Sequence, residues 1–548
     1  MTRRKRLMGI CAGLAMCCSL LWAQSSAGNR PERVERFRDL GFGMFIHWGV
    51  DVPLGSVISH SLVGASPDYV ERYYRILPGL FHPERFDPRG WAELAKLAGM
   101  KYVVFTAKHH AGFCMWDTAT TPFNVMHTPF HRDVVAEVIK AFREQGIATG
   151  LYISPDDFHW FHENSYPIAR PPAPRTTTKE LPGLLAHDKA QLKELLTKYG
   201  PIDFLFIDGP ADGLKEYAWE LNPDIVVTRG AMETPEQYVP GVPLDQAWEA
   251  CITMGTSWQY KPTNEEYKSG RELIQTLIEI RAKGGNFLLN VGPKPDGELA
   301  PEQAGRLREI ALWNFVNGES IESVRPWVLT NEGNIWFTRR RSEPDVYAFI
   351  TGTNWKLGEP KTFLLRSVRA TKDTRVSVLG QSDEILEYRP AVIPKTTWKQ
   401  DQQGLHITAY RAQRLYDNRR WPNPAVLKIT NAQPALQPPR FSTGEARWDA
   451  VAGCYELRGE LQSLGDASSV EAGFQYRPAK ALADLYEPTA PWKDLPLARQ
   501  SSPGGFGQCL SGVSRAGNYE FRAVVRHPIM TLYGVEKPVN TGAAVRLP

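Results

Sequence analysis

The sequence predicts a parallel (β/α)8-like TIM barrel followed by one or two C-terminal β-sandwich domains. From residue 40 to about 316, apolar runs of strand length alternate with apolar stripes at helical spacing. These runs are apolar through their middles, as strands buried on both faces of a parallel sheet must be. After about residue 325 the helical spacing disappears and short strands with turn residues between them follow. No GxGxxG pattern follows the first strand, which argues against a doubly wound dinucleotide-binding sheet.

Seven barrel strands are predicted, and amphipathic helices lie between several of them. The helices carry apolar stripes that begin at Trp91, Val134, Leu273 and Leu307, the last of them including Phe315. The predicted strands are Phe42–Trp48, Tyr102–Ala107, Thr149–Ser154, Asp203–Asp208, Asp224–Thr228, Ala247–Thr253 and Phe287–Val291.

The C-terminal part is predicted to contain two small β-domains. A proline cluster at 434–439 separates them, and Tyr519 resembles the corner tyrosine of a fibronectin type III or immunoglobulin-like sandwich. Cys454 and Cys509 lie in the second unit, where they would form a disulfide or remain two buried thiols. The predicted strands are Val346–Ile350, Thr362–Leu365, Arg375–Leu379, Leu405–Thr408, Cys454–Leu457, Val470–Gln475, Tyr519–Val525 and Ala543–Leu547.

The N-terminal residues are typical of an export signal. Four basic residues, 3–6, precede an apolar run over residues 7–23, and small residues follow. A retained membrane anchor is the alternative, although the run is slightly shorter than the ~20 residues that a span needs. The predicted domains are therefore a signal peptide (1–28), a barrel (29–330), a β-sandwich (331–432) and a second β-domain (433–548). We expect a secreted or periplasmic protein without membrane attachment after cleavage.

The charge balance argues against a nucleic-acid partner. The formal net charge is +4, and residues 1–28 contain four basic and no acidic residues. The chain without this segment therefore carries no net charge, and bulk electrostatic attraction to phosphates is not expected. No feature of the sequence predicts an oligomeric state.

Polar residues at the predicted strand ends indicate a functional pocket. In a parallel barrel, catalytic groups lie at the carboxyl ends of the strands and in the loops that follow. Glu236 lies in the loop after the fifth predicted strand. The residues assigned to strand ends are His47, Trp48, His109, His110, Tyr152, Asp208, Arg229 and Glu249.

Asp208 is the most informative of these residues. Strand alternation puts it on the same face as Phe204 and Phe206, so its carboxylate ends an otherwise apolar face. Such a carboxylate is costly to bury unless it is hydrogen-bonded or functional. The alternative is that Asp208 caps the turn at Gly209.

Carbohydrate chemistry is a better match to these residues than metal chemistry. Adjacent His109 and His110 point to opposite faces of a strand, and no HExxH or comparable spacing supplies further ligands, so no metal site is predicted. Glycoside hydrolysis needs two carboxylates, and Asp208 provides one of them. Glu233, Glu236 and Glu249 compete for the second role. Aromatic planes near the strand ends would suit a sugar ring, and the candidates are Trp48, Trp116, Trp160, Trp248 and Trp258.

Several motifs in this order resemble the α-L-fucosidases of glycoside hydrolase family 29. They cover residues 40 to about 330. The matching stretches are FGMFIHWG from Phe42, AGMKYVVFTAKHHAGFCMWD from Ala98, GLYIS from Gly150, IDG at Asp208, TPEQ at Glu236, WEAC at Glu249, and GGNFLLNVGP from Gly284.

The resemblance implies retaining, double-displacement hydrolysis of terminal α-L-fucose on a glycan, without a cofactor. By match to the family motifs, Asp208 is the nucleophile and Glu236 the acid/base, with Glu249 as the runner-up. The positions that match sugar-contacting residues of the family are His47, His109, His110, Tyr152 and Arg229, to which Trp48, Phe206 and Glu249 are added as candidate substrate contacts.

The sequence also departs from the family pattern. Residues 57–61 occupy the region where many relatives have a Glu-Trp pair, and Phe206 stands where relatives often have Trp. Val227 and Thr228 replace the usual Asn-Asp before Arg229. These departures leave a related sugar open as the substrate, such as an α-galactoside or a substituted fucoside. Two further hypotheses are a catalytically inactive carbohydrate-binding barrel and a metal-dependent hydrolase.

Overall fold

A seven-stranded parallel sheet forms the centre of the N-terminal part. The computed structural model describes residues 28–170, 176–415, 422–479, 490–528 and 530–539. The parallel strands are β1 (Phe42–Ile46), β2 (Tyr102–Lys108), β3 (Ala148–Ile153), β4 (Phe204–Ile207), β5 (Val226–Val227), β6 (Glu249–Thr253) and β7 (Asn286–Val291). Their order in the sheet is β5-β4-β3-β2-β1-β7-β6. All seven predicted strands are thus present in a TIM-like domain, with their ends shifted by at most two residues.

Helices alternate with these strands along the chain. They are α1 (Pro31–Leu40), α2 (Pro67–Leu80), α3 (Pro88–Leu97), α4 (Val134–Glu144), α5 (Phe158–Glu163), α6 (Pro182–Lys198), α7 (Leu214–Leu221), α8 (Gly270–Ala282) and α9 (Pro301–Asn317). Helix α4 illustrates how sequence determines them. The Asp133 carboxylate caps its first turn by accepting from the N–H of Ala136 at 2.8 Å, and its predicted apolar stripe is buried. On α9, Phe315 is 89% exposed, because it lies off the stripe formed by Leu307 and Ile310.

A short extended segment continues the sheet beyond β6. Residues 233–237 run parallel to β6, with bridges between Glu233 and Trp248 and between Glu236 and Cys251. The N–H of Gln237 donates to the Cys251 carbonyl at 3.0 Å. This segment lies between β5 and β6 in the chain and carries Glu236.

Large inward-facing side chains fill the interior of the curved sheet. Phe45, Tyr102, Phe204 and Phe206 pack there with Phe37 from α1. The interior is therefore a packed core that supports the loops at the carboxyl ends of the strands.

Antiparallel sheets make up the described part of the chain from residue 324 onward. A five-stranded sheet of order β13-β16-β10-β9-β8 faces a three-stranded sheet β11-β15-β14 and a small β12-β17 pair, which together enclose one apolar core. The strands are β8 (Val324–Glu332), β9 (Ile335–Arg340), β10 (Val346–Ile350), β11 (Pro360–Leu365), β12 (Val368–Arg369), β13 (Val376–Val378), β14 (Thr397–Asp401), β15 (Gly404–Tyr410), β16 (Ala425–Ile429) and β17 (Gln433–Pro434).

Two further sheets, which we call the C-terminal sheets, are formed by the described residues between 440 and 539. One has the order β18-β19-β23; the other is built around β20 and β24, with apolar side chains between the two. Their strands are β18 (Arg440–Asp449), β19 (Cys454–Ser463), β20 (Val470–Pro478), β21 (Lys493–Asp494), β22 (Ala498–Gln500), β23 (Gly504–Leu510), β24 (Tyr519–His527), β25 (Met530–Tyr533) and β26 (Lys537–Pro538).

Two features predicted from the sequence lie outside the described residues: the export signal and the last predicted strand, Ala543–Leu547. The domain boundaries stay a prediction. Among the helices that the structure describes, none is both long and apolar enough to cross a membrane.

Of the two alternatives left open for Cys454 and Cys509, the structure shows the disulfide. The disulfide joins neighbouring strands β19 and β23 and spans 55 residues of sequence. Closing a loop of this length restricts the unfolded chain, which is the main way a disulfide stabilises a fold.

We expect the Cys454→Ser/Cys509→Ser double variant to lose roughly 2–4 kcal/mol of stability in the C-terminal sheets. Thermal unfolding of the oxidised parent, with and without dithiothreitol, is the measurement. The double variant is its own control, because dithiothreitol should no longer change its unfolding temperature. An unchanged unfolding temperature on reducing the parent would contradict a stabilising role for the bond.

Candidate active site

Asp208 follows the last residue of β4 and is held by backbone and side-chain hydrogen bonds. Its N–H donates to the Ile153 carbonyl at 3.0 Å, which extends the pairing of β4 with β3. The Tyr152 hydroxyl donates to Asp208 Oδ2 at 2.7 Å, and Arg229 Nη1 donates to Oδ1 at 2.9 Å. The side chain is 19% exposed. Asp208 is therefore fixed in direction while it remains open to a ligand.

The surroundings of Asp208 keep its carboxylate ionised. Burial alone would raise its pKa, but His110 and the guanidinium groups of Arg229 and Arg170 hold the pKa well below the usual value. His110 Nε2 lies 3.4 Å from Oδ2, and Arg170 Nη2 lies 4.0 Å from Oδ1. An ionised, oriented carboxylate is the form that a nucleophile requires.

Arg229 connects Asp208 to Glu236. The same nitrogen, Nη1, lies 2.9 Å from Asp208 Oδ1 and 2.9 Å from Glu236 Oε2. The two carboxylate oxygens therefore cannot be farther apart than twice that distance. For this pair of oxygens, the limit is shorter than the ~6.5–9.5 Å between the carboxyl groups of inverting glycosidases and is compatible with the ~5–5.5 Å of retaining ones.

The guanidinium of Arg229 is itself held on its other edges. Its Nε donates to Thr234 Oγ1 at 3.1 Å and its Nη2 to the Thr234 carbonyl at 3.2 Å. Its Cζ lies 4.8 Å from the centre of the Phe206 ring, a cation–π contact. Phe206 is only 1% exposed. The predicted substrate contact at Phe206 is thus a support beneath Arg229 rather than an open aromatic surface.

Three predicted histidines surround the carboxylates as neutral groups. Burial is the main cause that lowers the pKa of His47 to about 4, of His110 to about 3, and of His109 well below its usual value. Their rings lie close together, with centroids of His109 and His110 4.4 Å apart and those of His109 and Tyr152 5.4 Å apart. Neutral imidazoles offer a donor and an acceptor each, which suits sugar hydroxyl groups.

Hydrogen bonds to neighbouring residues orient His47. The Asn290 amide donates through Nδ2 to the Trp258 carbonyl at 2.6 Å, so its oxygen faces His47 Nδ1 at 2.7 Å. His47 Nδ1 then carries the hydrogen, and Nε2 is an acceptor. The Trp258 ring lies 4.8 Å from the His47 ring. Trp258 is thus the predicted tryptophan that borders the site.

Buried ion pairs hold the loop that carries His109 and His110. Lys108, the last residue of β2, lies 3.1 Å from Asp157 and 2.8 Å from Asp188, and all three are buried. Asp157 also accepts from the N–H of Trp160 and so caps α5. These ion pairs thereby connect the segment that follows β2, which carries the two histidines, with the segment that follows β3.

Asp208, His109 and His110 place ligand atoms within 4.8 Å of one another, a spacing that a metal ion could use. Arg229 and Arg170 supply two permanent positive charges next to the same carboxylate, which opposes a cation there. The grouping is better matched to a neutral, hydroxyl-rich ligand.

Sequence reasoning missed several residues of the site. Arg170 reaches Asp208 from the segment after α5 and also donates to Asp156 at 3.2 Å. Burial raises the pKa of Asp156 to about 7. No periodicity marks Arg170, because it lies in an irregular segment. Asp156, which Arg170 contacts, could have been predicted as a site residue, because it is acidic and lies just beyond the carboxyl end of β3.

The segment at Ser59 and His60 also reaches the site. From the sequence, this segment is identified only as a region that differs from the family pattern, and no site residue is predicted there. The Ser59 hydroxyl lies 2.8 Å from His109 Nδ1 and accepts from the N–H of Ala111 at 2.8 Å. Ser59 has a left-handed φ of 59°, held by a hydrogen bond from its N–H to Asp51. The His60 ring lies 6.0 Å from that of His109 and 5.4 Å from that of His110.

Two predicted substrate contacts do not border the site. Glu249 begins β6 instead of ending it, and it is completely buried inside the sheet, where the Tyr102 hydroxyl donates to its Oε2 at 2.6 Å. Trp48 is 1% exposed and packs behind β1 against Phe81 and Trp91. The predictions that Glu249 ends its strand and that Trp48 borders the pocket are wrong. In both cases the side chain is packed in the core, although the sequence pattern assigns it to the carboxyl end of a strand.

Trp116 and Trp248 are buried in the same way. Trp116 donates from its indole N–H to Glu194 at 2.9 Å, and Trp248 packs on Gly285. The aromatic cluster predicted at the pocket is thus mainly core, as large apolar side chains usually are.

The arrangement as a whole is suited to acid/base and nucleophilic chemistry on a hydroxyl-rich ligand. Asp208 is ionised, and Glu236, whose side chain is 20% exposed, lies close to it across Arg229. Neutral histidines border the same space. These are the parts that glycoside hydrolysis with a covalent intermediate requires.

Comparisons with known proteins agree with this chemistry. A family model described as alpha-L-fucosidase matches residues 22–319. Tissue alpha-L-fucosidase of Rattus norvegicus is 32% identical over 396 residues, which cover 64% of this chain and 82% of the rat protein. Alpha-L-fucosidase isoenzyme 1 from Paenibacillus thiaminolyticus aligns with a TM-score of 0.58 and 26% identity, covering 73% of this chain and 98% of that chain. The Thermotoga maritima alpha-fucosidase in complex with fucose aligns with a TM-score of 0.57 and 25% identity, covering 75% and 99%.

The buried Glu249 should make the stability of the fold dependent on pH. Burial raises its pKa from 4.5 to about 7, although hydrogen bonds such as that from Tyr102 oppose the rise. Between these values the folded chain binds more protons than the unfolded chain, so stability should fall as pH rises from about 4.5 to 7. Glu249→Gln should therefore gain stability relative to the parent across this window, by up to roughly 3 kcal/mol.

Urea unfolding of both proteins at pH 5 and pH 8 measures this difference. The exposed Glu266→Gln change is the matched control, and its effect should be the same at both pH values. A Glu249→Gln effect that does not change with pH would contradict the assignment.

Proposed function

The chain belongs to the alpha-L-fucosidase family and hydrolyses terminal α-L-fucose as a glycoside hydrolase, and from this premise we propose that it works by double displacement with retention. Asp208 is the nucleophile and Glu236 is the acid/base. The observation that carries the proposal is Arg229 Nη1, which lies 2.9 Å from one oxygen of each carboxylate and so holds the two groups close together, as a retaining mechanism requires.

In the first step, Asp208 attacks the anomeric carbon of the fucose residue. The bond from that carbon to the glycosidic oxygen breaks, and Glu236 gives its proton to the departing oxygen. The products are a fucosyl ester of Asp208 and the released glycan. The Tyr152 hydroxyl and Arg229 keep the attacking carboxylate in place through their hydrogen bonds at 2.7 Å and 2.9 Å.

In the second step, Glu236 acts as a base. It takes a proton from a water molecule, whose oxygen attacks the same anomeric carbon and displaces Asp208. Fucose leaves with its original anomeric configuration, and Glu236 is protonated again. Since the same group serves both steps, no cofactor is needed.

Residues around the two carboxylates supply the sugar contacts. His47, His109 and His110 are neutral, so each offers one donor and one acceptor for sugar hydroxyl groups. His60 and Trp258 border the same space. The fucose held by the Thermotoga maritima relative supports fucose as the sugar.

We further propose that the enzyme is exported and acts on fucosylated glycans outside the cytoplasm. The basic and apolar N-terminal residues support cleavage of a signal peptide. The disulfide between Cys454 and Cys509 supports an oxidising compartment.

The stereochemistry of azide products separates the two catalytic roles. With 4-nitrophenyl α-L-fucoside as substrate, the parent should release fucose, and Asp208→Ala and Glu236→Ala should each lose most activity. Azide added to Asp208→Ala takes the place of the missing nucleophile and should give the β-fucosyl azide. Azide added to Glu236→Ala attacks the fucosyl-enzyme instead, so it should give the α-fucosyl azide, detectable by NMR.

Glu249→Gln is the control in this experiment, and it should show no azide product. An inert parent would contradict the assigned sugar, and other α-glycosides would then be assayed. The same anomer from both variants would contradict the division of roles.

Loss of the Tyr152 hydroxyl should change the pH profile. Its hydrogen bond stabilises the ionised form of Asp208, so Tyr152→Phe should raise the pKa of that carboxyl. The acidic limb of the kcat/KM profile should move to higher pH by about one unit, since a bond to a charged group contributes ~1.5–3 kcal/mol.

Tyr347→Phe is a matched control, because the Tyr347 hydroxyl also donates to a carboxylate, that of Glu319 at 3.1 Å, but far along the chain from the site. Its profile should equal that of the parent. An unmoved acidic limb in Tyr152→Phe would show that this hydroxyl does not control the ionisation of Asp208.

A further inference from the structure

The segment that follows Glu236 runs between the barrel and the C-terminal sheets. Gln237 Oε1 accepts from both the N–H and the hydroxyl of Thr253, each at 3.2 Å. Three residues later, the Pro240 carbonyl accepts from Lys283 Nζ at 2.6 Å. We call residues 236–241 the Glu236 loop. The barrel thus holds this loop at two points on one side.

The C-terminal sheets contact the loop at Gly241. A methyl group placed on Gly241 would lie 2.7 Å from Glu536 Oε1 and 3.2 Å from Arg522 Nη1. These distances are shorter than normal contacts, so the two side chains occupy the space that a methyl group on residue 241 would need. Gly241 does not have a positive φ, which means that its backbone conformation permits alanine and that only this contact opposes it.

Arg522 is held in a fixed position on its own sheet. Its Nε and Nη2 donate to Gln475 Oε1 at 3.0 Å and 2.8 Å. Its Cζ lies 4.1 Å from the ring centres of both Trp492 and Tyr533. A planar guanidinium with both stacking and hydrogen bonds has little freedom to move away from Gly241.

Glu536 is held in a similar way. Its two oxygens lie 3.5 Å from Arg522 Nη1 and 3.6 Å from Arg477 Nη2, and its side chain is 12% exposed. Largely buried ion pairs add little net stability compared with apolar packing. Stabilisation of the C-terminal sheets is therefore a weak explanation for the pair of Arg522 and Glu536. Fixing the geometry of the surface that it contacts is a better one.

We propose that Arg522 and Glu536 are positioning residues, through which the C-terminal sheets fix the Glu236 loop and so set the distance from the acid/base to the departing oxygen. On the barrel side, Thr253 and Lys283 bind the loop through hydrogen bonds. On the opposite side, Arg522 and Glu536 contact it at Gly241. The proposal rests on the acid/base role of Glu236 proposed above.

Leaving-group dependence tests the proposal, because a displaced acid matters only when the departing group needs a proton. Gly241→Ala should push the loop away from Glu536. We expect kcat/KM for phenyl α-L-fucoside to fall by roughly 10-fold or more, since small displacements of catalytic groups have effects of this size. For 2-chloro-4-nitrophenyl α-L-fucoside, whose leaving group needs little protonation, the change should be about 2-fold or less.

Gly305→Ala is the matched control, since a methyl group there meets nothing within 4 Å, and it should leave both substrates unaffected. Arg522→Met removes the guanidinium while keeping an unbranched side chain, and it should show the same preference for the activated substrate as Gly241→Ala. Equal losses on both substrates, or no loss on either, would overturn the proposal. If Gly241→Ala does not fold, as judged by near-UV circular dichroism, Arg522→Met and Glu536→Gln decide by the same criterion.

Glu236→Ala, measured in parallel, distinguishes this proposal from the one on which it rests. If Glu236→Ala loses activity equally on both substrates, the acid/base assignment has failed. If Glu236→Ala shows strong leaving-group dependence and the Gly241 and Arg522 variants show none, only the positioning role has failed.

Discussion

The contact of one guanidinium nitrogen with two carboxylates is the constraint on which the site depends. Asp208 and Glu236 repel each other when both are ionised, and Arg229 Nη1 compensates by contacting both at 2.9 Å. Arg229 can do so only because Thr234 binds its other edge and the Phe206 ring lies against its face. In the proposed mechanism, the packing of Phe206 and Thr234 around Arg229 therefore helps to set the separation of the nucleophile and the acid/base.

Burial has opposite consequences for different groups in this site. It lowers the pKa of the histidines, which leaves them neutral as hydrogen-bonding groups for a sugar. It would raise the pKa of Asp208, but the neighbouring His110 and guanidinium groups reverse that effect. Further from the ligand, the buried Lys108 with its two aspartates holds the histidine loop in place. The C-terminal sheets, in our proposal, do the same for the loop that carries Glu236.

Particular residues show how far sequence patterns can be taken. Alternation and strand length place Asp208, Tyr152 and Arg229 at strand ends, and the structure brings Tyr152 and Arg229 within hydrogen-bonding distance of Asp208. Glu249 and Trp48 satisfy the same patterns, yet both are buried in the core. Glu249 is the first residue of β6, so it lies at the amino end of its strand, away from the carboxyl ends that form the site, and sequence patterns do not locate strand ends that closely.

The class of fold, the family and the residue types of the site follow from the order of amino acids, because apolar periodicity and short motifs are local properties of the chain. The two cysteines that form the disulfide are also visible there. Other contacts depend on tertiary packing: Arg229 bridges both carboxylates, Arg170 and Ser59 reach the site from irregular segments, and Gly241 lies against Arg522 and Glu536. Most of these contacts join residues far apart in the chain, and their geometry depends on how whole sheets and loops pack.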